Sequence, residues 1–425
     1  MSVEHTLARF AANAMPSDHA MSIMRLALFD WAVCAIAGQD EPVARILRNH
    51  AAMECPIGPA CIVGGGQTAP SRAALINGAT SHALDYDDTH FAHIGHTSVA
   101  VIPAVLGVAA SRDMQPVLRA AMIGSEGAVR VGIWLGRDHY QVGFHQTATA
   151  GAFGATLAVG CMLGLDEDQI VTALGLAATK AAGLKSQFGT MGKPLNAGLA
   201  AETGVLAAQW ASAGLTSTER GLSGALGFAA THHALCDSAA FDTLGTQWLM
   251  QDVSHKFHAC CHGLHAMLEA LQDISAPVDA MTVYTHPRWL SVCNNAAPRT
   301  GLEMKFSYKM TAAMRMAGLD TARIGIFSDV HAMDPTLKDL ADRVTVVRDP
   351  DLSEMQCRIE VTGGSGSEVL FHDLQTPMTL AAREARLQSK GRAVVGAALA
   401  DDLWAAVQAD DVAPLMGLIT RPSPV

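Results

Sequence analysis

From residue 1 to about residue 250, apolar side chains recur at helical spacing, and Ala and Leu fill most of those positions. Gly, Pro, Ser, Thr or Asp stand at the margins of the runs, where helices begin and end. The pattern predicts helices over 20–37, 70–86, 97–111, 118–135, 147–165, 167–185 and 194–213. Strand-like alternation is nearly absent from this half. After Val253 the texture changes, and β-branched residues alternate over 281–285, 343–347 and 356–361. Gly363-Gly364-Ser365-Gly366 reads as a turn into a further strand over 368–371. Helical spacing returns between the strands (263–271, 307–317, 336–341) and again over 381–390 and 393–409.

These elements predict a mainly α protein with a smaller α+β domain. Residues 1–252 with 374–425 form the large all-helical domain, and residues 253–373 form the smaller one. A length of 425 residues supports two domains, because single cores stop growing at smaller sizes. Hydrophobic residues make up 50% of the chain and aromatic ones only 5%, so closely packed helices with small side chains at their contacts are expected. So apolar an average also leaves surface to cover, which favours an oligomer.

Charge narrows the partners. Against 29 Lys and Arg stand 40 Asp and Glu, a net charge of −11, which disfavours nucleic acid and anionic membranes. Nine cysteines, two of them adjacent at Cys260 and Cys261, follow no disulfide spacing and read as reduced thiols of a cytoplasmic protein. Glu4, His5 and Asp18 are wrong for a signal peptide. The uncharged stretch 141–165 has the length of a membrane span. It holds four glycines after residue 150, His145 and three threonines, so it reads as a buried core helix.

The densest chemistry lies between Leu84 and His96, where Asp85, Asp87, Asp88, His90, His93 and His96 crowd together. Four further signals sit just before helical patterns: His96, His145, Lys193 (followed by Pro194) and Lys256. Helix N-termini present free N–H groups and partial positive charge, so several of them brought together would bind a substrate with two or three carboxylates. The ordinary reading of each residue alone is a cap or a surface group, and Asp87, His90 and His93 read as structural. A metal site is the rival, built from Asp85, Asp88 and the histidines at 90, 93 and 96, or from Cys260, Cys261, His262 and His265. The loop-like Phe91-Ala92 and Ile94-Gly95 segments and the adjacent cysteines disfavour both. No metal and no cofactor is expected.

The motifs together resemble the MmgE/PrpD family of 2-methylcitrate dehydratases, cis-aconitate decarboxylases and iminodisuccinate epimerases. The resemblance runs from Leu7-Ala8-Arg9-Phe10 through Asn77–Thr89 and His96-Thr97-Ser98 to Gly143-Phe144-His145-Gln146-Thr147. It continues in Gly192-Lys193-Pro194-Leu195-Asn196-Ala197-Gly198, Lys256-Phe257-His258 and Thr376-Pro377-Met378-Thr379. It implies a homodimer, a metal-free site between two domains and carbanion chemistry next to a carboxylate. By motif, it assigns catalytic roles to Asp85, His96, His145 and Lys193, with Thr89, Lys256, His258 and Tyr308 as substrate-binding residues. One departure stands out: after Phe306-Ser307, where many members carry a tyrosine four residues past the Phe, this chain has Met310. Tyr308 is nearby, but two residues earlier on a helix it points elsewhere.

The expected activity is a lyase dehydrating a small di- or tricarboxylate of the 2-methylcitrate type. Epimerisation of an acid such as iminodisuccinate, which Met310 favours, and decarboxylation of a cis-aconitate-like acid are the alternatives. A metal-dependent hydrolase and a non-catalytic carboxylate binder are the rivals from other classes.

Overall fold

A computed structural model describes residues 2–54, 57–109, 113–272, 274, 278–364 and 366–422. The chain divides into two compact units, Met1–His255 with Val395–Val425, and Lys256–Val394.

The larger unit is helical, as the periodicity predicts. Its helices are α1 (Val3–Asn13), α2 (Asp18–Gly38), α3 (Pro42–Glu54), α4 (Pro70–Ser81), α5 (Ser98–Val108), α6 (Met114–Gln141), α7 (Gln146–Leu163), α8 (Glu167–Lys180) and α9 (Gly192–Ser212). A two-stranded antiparallel ribbon, β1 (Ala60–Cys61) and β2 (Gln67–Thr68), precedes α4. α1 and α3 escape the apolar pattern, and α3 buries only Val43, Ala44 and Ala51. The C-terminal helices Ala397–Gln408 and Ala413–Ile419 return to this unit, where Trp404 meets the Phe29 ring edge-on at 5.4 Å.

Several boundaries differ from the sequence reading: α8, expected over 167–185, ends at Lys180, and α4 and α6 differ for local reasons. The helix expected over 70–86 ends at Ser81, and Asp85 then turns the chain in the left-handed region at φ 52°. α6 runs past the expected 118–135 and kinks at Gly136, whose φ of 78° suits only glycine. The predicted helix end at 111 lies outside the described residues. α2 is long and apolar enough to cross a membrane, and 78% of its apolar window is buried inside the protein. The uncharged stretch forms α7, whose residues Gln146–Gly160 are buried throughout.

Small residues set the distances between these helices. A Cβ built on Gly78 of α4 would lie 2.9 Å from the Cα of Gly198 on α9, and one on Gly198 would lie 2.2 Å from the Leu75 carbonyl oxygen. On α7, a Cβ at Gly154 would meet the Gly124 carbonyl oxygen of α6 at 2.5 Å. The backbones of α4 and α9, and of α6 and α7, are thus in direct contact. That closeness is what an Ala- and Gly-rich chain with few aromatics allows.

The smaller unit carries a four-stranded sheet in the order β4-β3-β5-β6, made of β3 (Val278–Thr285), β4 (Val344–Arg348), β5 (Gln356–Gly363) and β6 (Gly366–Asp373). β3 and β4 run parallel, and the other two pairings are antiparallel. Ser365, in the predicted turn, lies outside the described residues. β5 alternates as predicted, burying Cys357, Ile359 and Val361. The expected boundary at 373 moves to 394, because helix Leu380–Val395 packs within this unit. Arg386 bonds the Glu269 carboxylate at 2.5 Å and stacks on Phe257 at 3.8 Å, and Leu387 is fully buried.

Gly198→Ala should destabilise the protein by about 1–3 kcal/mol, because backbone atoms of α4 cannot give way to a methyl group. Gly417→Ala, with nothing within 4 Å of its Cβ position, is the control and should be neutral or slightly stabilising. Urea unfolding of both variants checks this. Equal stability of the two would contradict the backbone-contact account.

Candidate active site

The segment after α4 forms one wall of the site. His82 caps the C-terminal end of α4, its amide donating to the Gly78 carbonyl at 3.2 Å, and the left-handed turn at Asp85 sends Asp87 and Asp88 inward. Both carboxylates are buried. Asp88 accepts from the Ser98 amide at 3.3 Å and from the Ser98 hydroxyl, so it closes the N-terminus of α5. His96, just before α5, is held by its own amide donating to Thr147 Oγ1 in the first turn of α7 at 3.0 Å.

Five side chains meet there. Lys193 Nζ, from the first turn of α9, lies 2.7 Å from Asp85 Oδ2, and His96 Nε2 lies 3.4 Å from Asp85 Oδ1. The other ring nitrogen of His96, Nδ1, is 2.7 Å from Asp87 Oδ2, a close charge contact without hydrogen-bond alignment. His82 Nδ1 bonds Asp87 Oδ1 at 2.9 Å. Asp85 and Lys193 are the more accessible members, whereas Asp87 and His82 are sealed in.

His145 completes the cluster as the N-cap residue of α7. The Asn196 side-chain amide donates to its Nδ1 at 3.3 Å, which leaves Nε2 carrying the proton. Phe188 meets the His145 ring edge-on at 5.0 Å and lies 5.5 Å from Lys193 Nζ, an apolar wall beside two polar groups. The His145 ring is stacked with His82 at 6.3 Å. The starts of α5, α7 and α9 therefore contribute His96, His145 and Lys193 to one place.

Environment shifts three of the groups in this region. Burial pushes the His145 pKa well below the usual imidazole value, and the charges of Lys193, His82 and His96 push it further, against Asp85. It is a neutral N–H donor at physiological pH. Burial alone would raise the Asp87 carboxyl, but His82 and His96 facing it hold it well below the usual carboxylate range. Asp88 behaves oppositely. Burial pushes it up to about 7, with Asp30 and Asp87 adding to the rise and the Ser98 bonds opposing it.

The other expected residues fall as follows. Thr89 pairs its backbone with Ser254, exchanging N–H···O bonds of 2.9 and 2.8 Å. Lys256, His258 and Tyr308 belong to the smaller unit. There His258 bonds Thr321 Oγ1 at 2.7 Å and Glu269 at 3.1 Å, while Lys256 is buried. The Tyr308 hydroxyl, inside the core of that unit, donates to the Gly263 carbonyl at 2.6 Å and pairs with Thr285 at 2.8 Å. Both of these partners are core groups, so this tyrosine braces β3, and Met310 is itself buried.

Of the histidines in the disfavoured metal rival, only His96 belongs, among the described residues, to a group close enough to share a cation. His90 Nε2 meets the Leu249 carbonyl at 2.8 Å, and His93, wholly buried with its pKa pushed down to about 3 by burial and by His90 and His96, bonds through neither ring nitrogen. Among the described residues, that group is His82, Asp85, Asp87 and His96, whose donor atoms lie within 4.8 Å of one another. In that set Asp85 is already engaged by the Lys193 ammonium, and His82 by Asp87. His82 and Asp87 are the residues that sequence reasoning missed. Both stand inside the motif that carries the family resemblance, but nothing in their spacing distinguishes them from caps.

Residues 5–235 match the MmgE/PrpD N-terminal domain, and residues 255–403 match the MmgE/PrpD C-terminal domain. The chain belongs to the MmgE/PrpD family. It is 30% identical over 288 residues to a cis-aconitate decarboxylase of Aspergillus terreus, covering 64% of this chain and 59% of that protein. The human cis-aconitate decarboxylase is 25% identical over 323 residues, covering 70% of this chain and 66% of the relative. The chain thus spans about three-fifths of the length of the Aspergillus relative.

Asp88 generates a pH-dependent prediction. Its folded pKa lies above the unfolded value, so the folded state keeps a proton that the unfolded state releases. The resulting stabilisation is complete below about pH 4 and is lost as pH rises through 7. Asp88→Asn should therefore gain stability relative to the parent by up to about 1.4 kcal/mol per pH unit between those limits. Denaturant unfolding of both proteins at pH 5 and pH 7 checks it, and a pH-independent difference would contradict it.

Proposed function

We propose that the protein is a lyase that forms and quenches a carbanion next to a carboxylate, with a small di- or tricarboxylate as substrate. The observation that carries this reading is the convergence of Lys193 Nζ and His96 Nε2 on the single carboxylate of Asp85. Groups that embrace one carboxylate at 2.7 and 3.4 Å are spaced to embrace a substrate's. The neutral N–H of His145 supplies a further donor without adding charge.

The α-carbon of an acid needs its developing negative charge stabilised as that charge forms, and preorganised donors accomplish this best. Lys193 and His145 suit that task, and the helix N-termini beside them add partial positive charge. His96 moves the proton, because imidazole titrates near neutral pH. Asp85 holds Lys193 and His96 at fixed separation until substrate arrives.

Three outcomes share this intermediate. Loss of water gives a dehydratase, loss of carbon dioxide a decarboxylase, and return of the proton to the opposite face an epimerase. The named relatives favour decarboxylation of a cis-aconitate-like acid over the dehydration that family prominence suggests. In that reaction the bond between carbon and a carboxylate breaks, and the electron pair delocalises onto the remaining unsaturated acid. His96 then protonates carbon. Epimerisation is the second reading, favoured by Met310, which places no acidic hydroxyl where many lyase members have one.

Purified protein should release carbon dioxide from cis-aconitate, with activity undiminished by chelator. His96→Ala and Lys193→Ala should each lower turnover by roughly 10²–10⁴-fold while circular dichroism stays unchanged. Near-parental activity in either variant would defeat the assignment. Inversion of a chiral dicarboxylate in place of gas release would establish the second reading.

A further inference from the structure

We infer that Asp87 is a positioning residue for His96: its buried carboxylate, shared with His82, keeps a proton on His96 Nδ1 and leaves Nε2 to exchange protons with substrate. This rests on the proposed role of His96 as the proton-moving group. Two carboxylates flank the His96 ring, and the question is which of them fixes its tautomer. Asp85 is 3.4 Å from Nε2, is partly exposed, and spends its charge on Lys193 at 2.7 Å. Asp87 is 2.7 Å from Nδ1 and buried, where a charge is screened far less. The nearer, drier and less compensated carboxylate wins, so the proton belongs on Nδ1.

His82 makes the arrangement specific. It is buried, its Nδ1 bonds Asp87 Oδ1 at 2.9 Å, and its Nε2 has no hydrogen-bond partner among the described residues. A bare ring nitrogen without a partner costs less than a buried N–H without one, so His82 carries its proton on Nδ1 and donates it to Asp87. That bond fixes the carboxylate by one oxygen and leaves the other 2.7 Å from His96 Nδ1. The His82 and His96 rings, 4.5 Å apart and steeply inclined, hold the carboxylate between them. When His96 takes a proton on Nε2, the resulting imidazolium is paired with a buried anion that has nowhere else to turn.

The first test needs no substrate. In protein labelled with ¹⁵N-histidine, long-range ¹H–¹⁵N spectra at pH 8.5 should show neutral His96 protonated at Nδ1 and bare at Nε2. The opposite tautomer would overturn the inference. The second test is kinetic, with cis-aconitate as probe. Asp87→Asn replaces an acceptor with an amide that can donate to Nδ1, so kcat should fall roughly 10²–10⁴-fold with KM changed less than about threefold. Asp87→Glu should recover part of that loss, and the His96 tautomer should shift in Asp87→Asn. An Asp87→Asn kcat within about threefold of the parent, beside an inactive His96→Gln, would sink the positioning role and leave the proposed function standing. Full activity in His96→Gln would instead remove the proposed function itself. If cis-aconitate is not turned over or Asp87→Asn does not fold, the tautomer in the parent protein decides the inference alone.

Discussion

The contact between Gly78 and Gly198 is the constraint on which the site depends. Neither residue can carry a Cβ, because each would meet backbone of the facing helix within 3 Å. The crossing lies four residues before His82 on α4 and five residues after Lys193 on α9, so it sits about one turn from the chemistry on both sides. Because the backbones touch, the end of one helix and the start of the other arrive at one point. Asp85 can then receive Lys193 at 2.7 Å. A looser, bulkier interface would separate the lysine from the His96 wall by ångströms, and electrostatic stabilisation of a forming charge does not tolerate that.

Within that frame, neighbouring groups of one chemical type are driven apart in charge by their surroundings. Asp87 and Asp88 are adjacent and both buried, but two imidazoles offset burial at the first and keep it ionised, while burial, with Asp30 and Asp87 adding to it, pushes the second up to about 7. His96 faces two carboxylates, whereas burial, with a lysine and two histidines nearby, keeps His145 neutral. One neutral donor, one lysine and one imidazole set between two carboxylates are the complement that carbanion chemistry at an acid needs.

Much of this was legible in the sequence. Helical periodicity placed α2, α4, α5, α7, α8 and α9, and the texture change after Val253 located the sheet. The helix-start positions of His96, His145 and Lys193 marked the groups that converge. Other features depend on tertiary contacts that periodicity does not encode. The stop at Ser81 follows from a left-handed Asp85, and the placement of helix Leu380–Val395 follows from Arg386 reaching Glu269 and Phe257. His82 and Asp87 were passed over for the same reason. A histidine at a helix end and an aspartate in a loop look like caps until the turn at Asp85 brings them onto His96.

Membership of the MmgE/PrpD family and the geometry around Asp85 point to one chemical event, the protonation or deprotonation of carbon beside a carboxylate. Turnover of cis-aconitate in D₂O, with the product read by NMR, tests that event most directly. The account predicts one solvent-derived deuterium on carbon in each product molecule, and an initial rate of incorporation reduced in His96→Ala as far as turnover is. A product without solvent deuterium on carbon, or incorporation at the parental rate in the His96 variant, would contradict it.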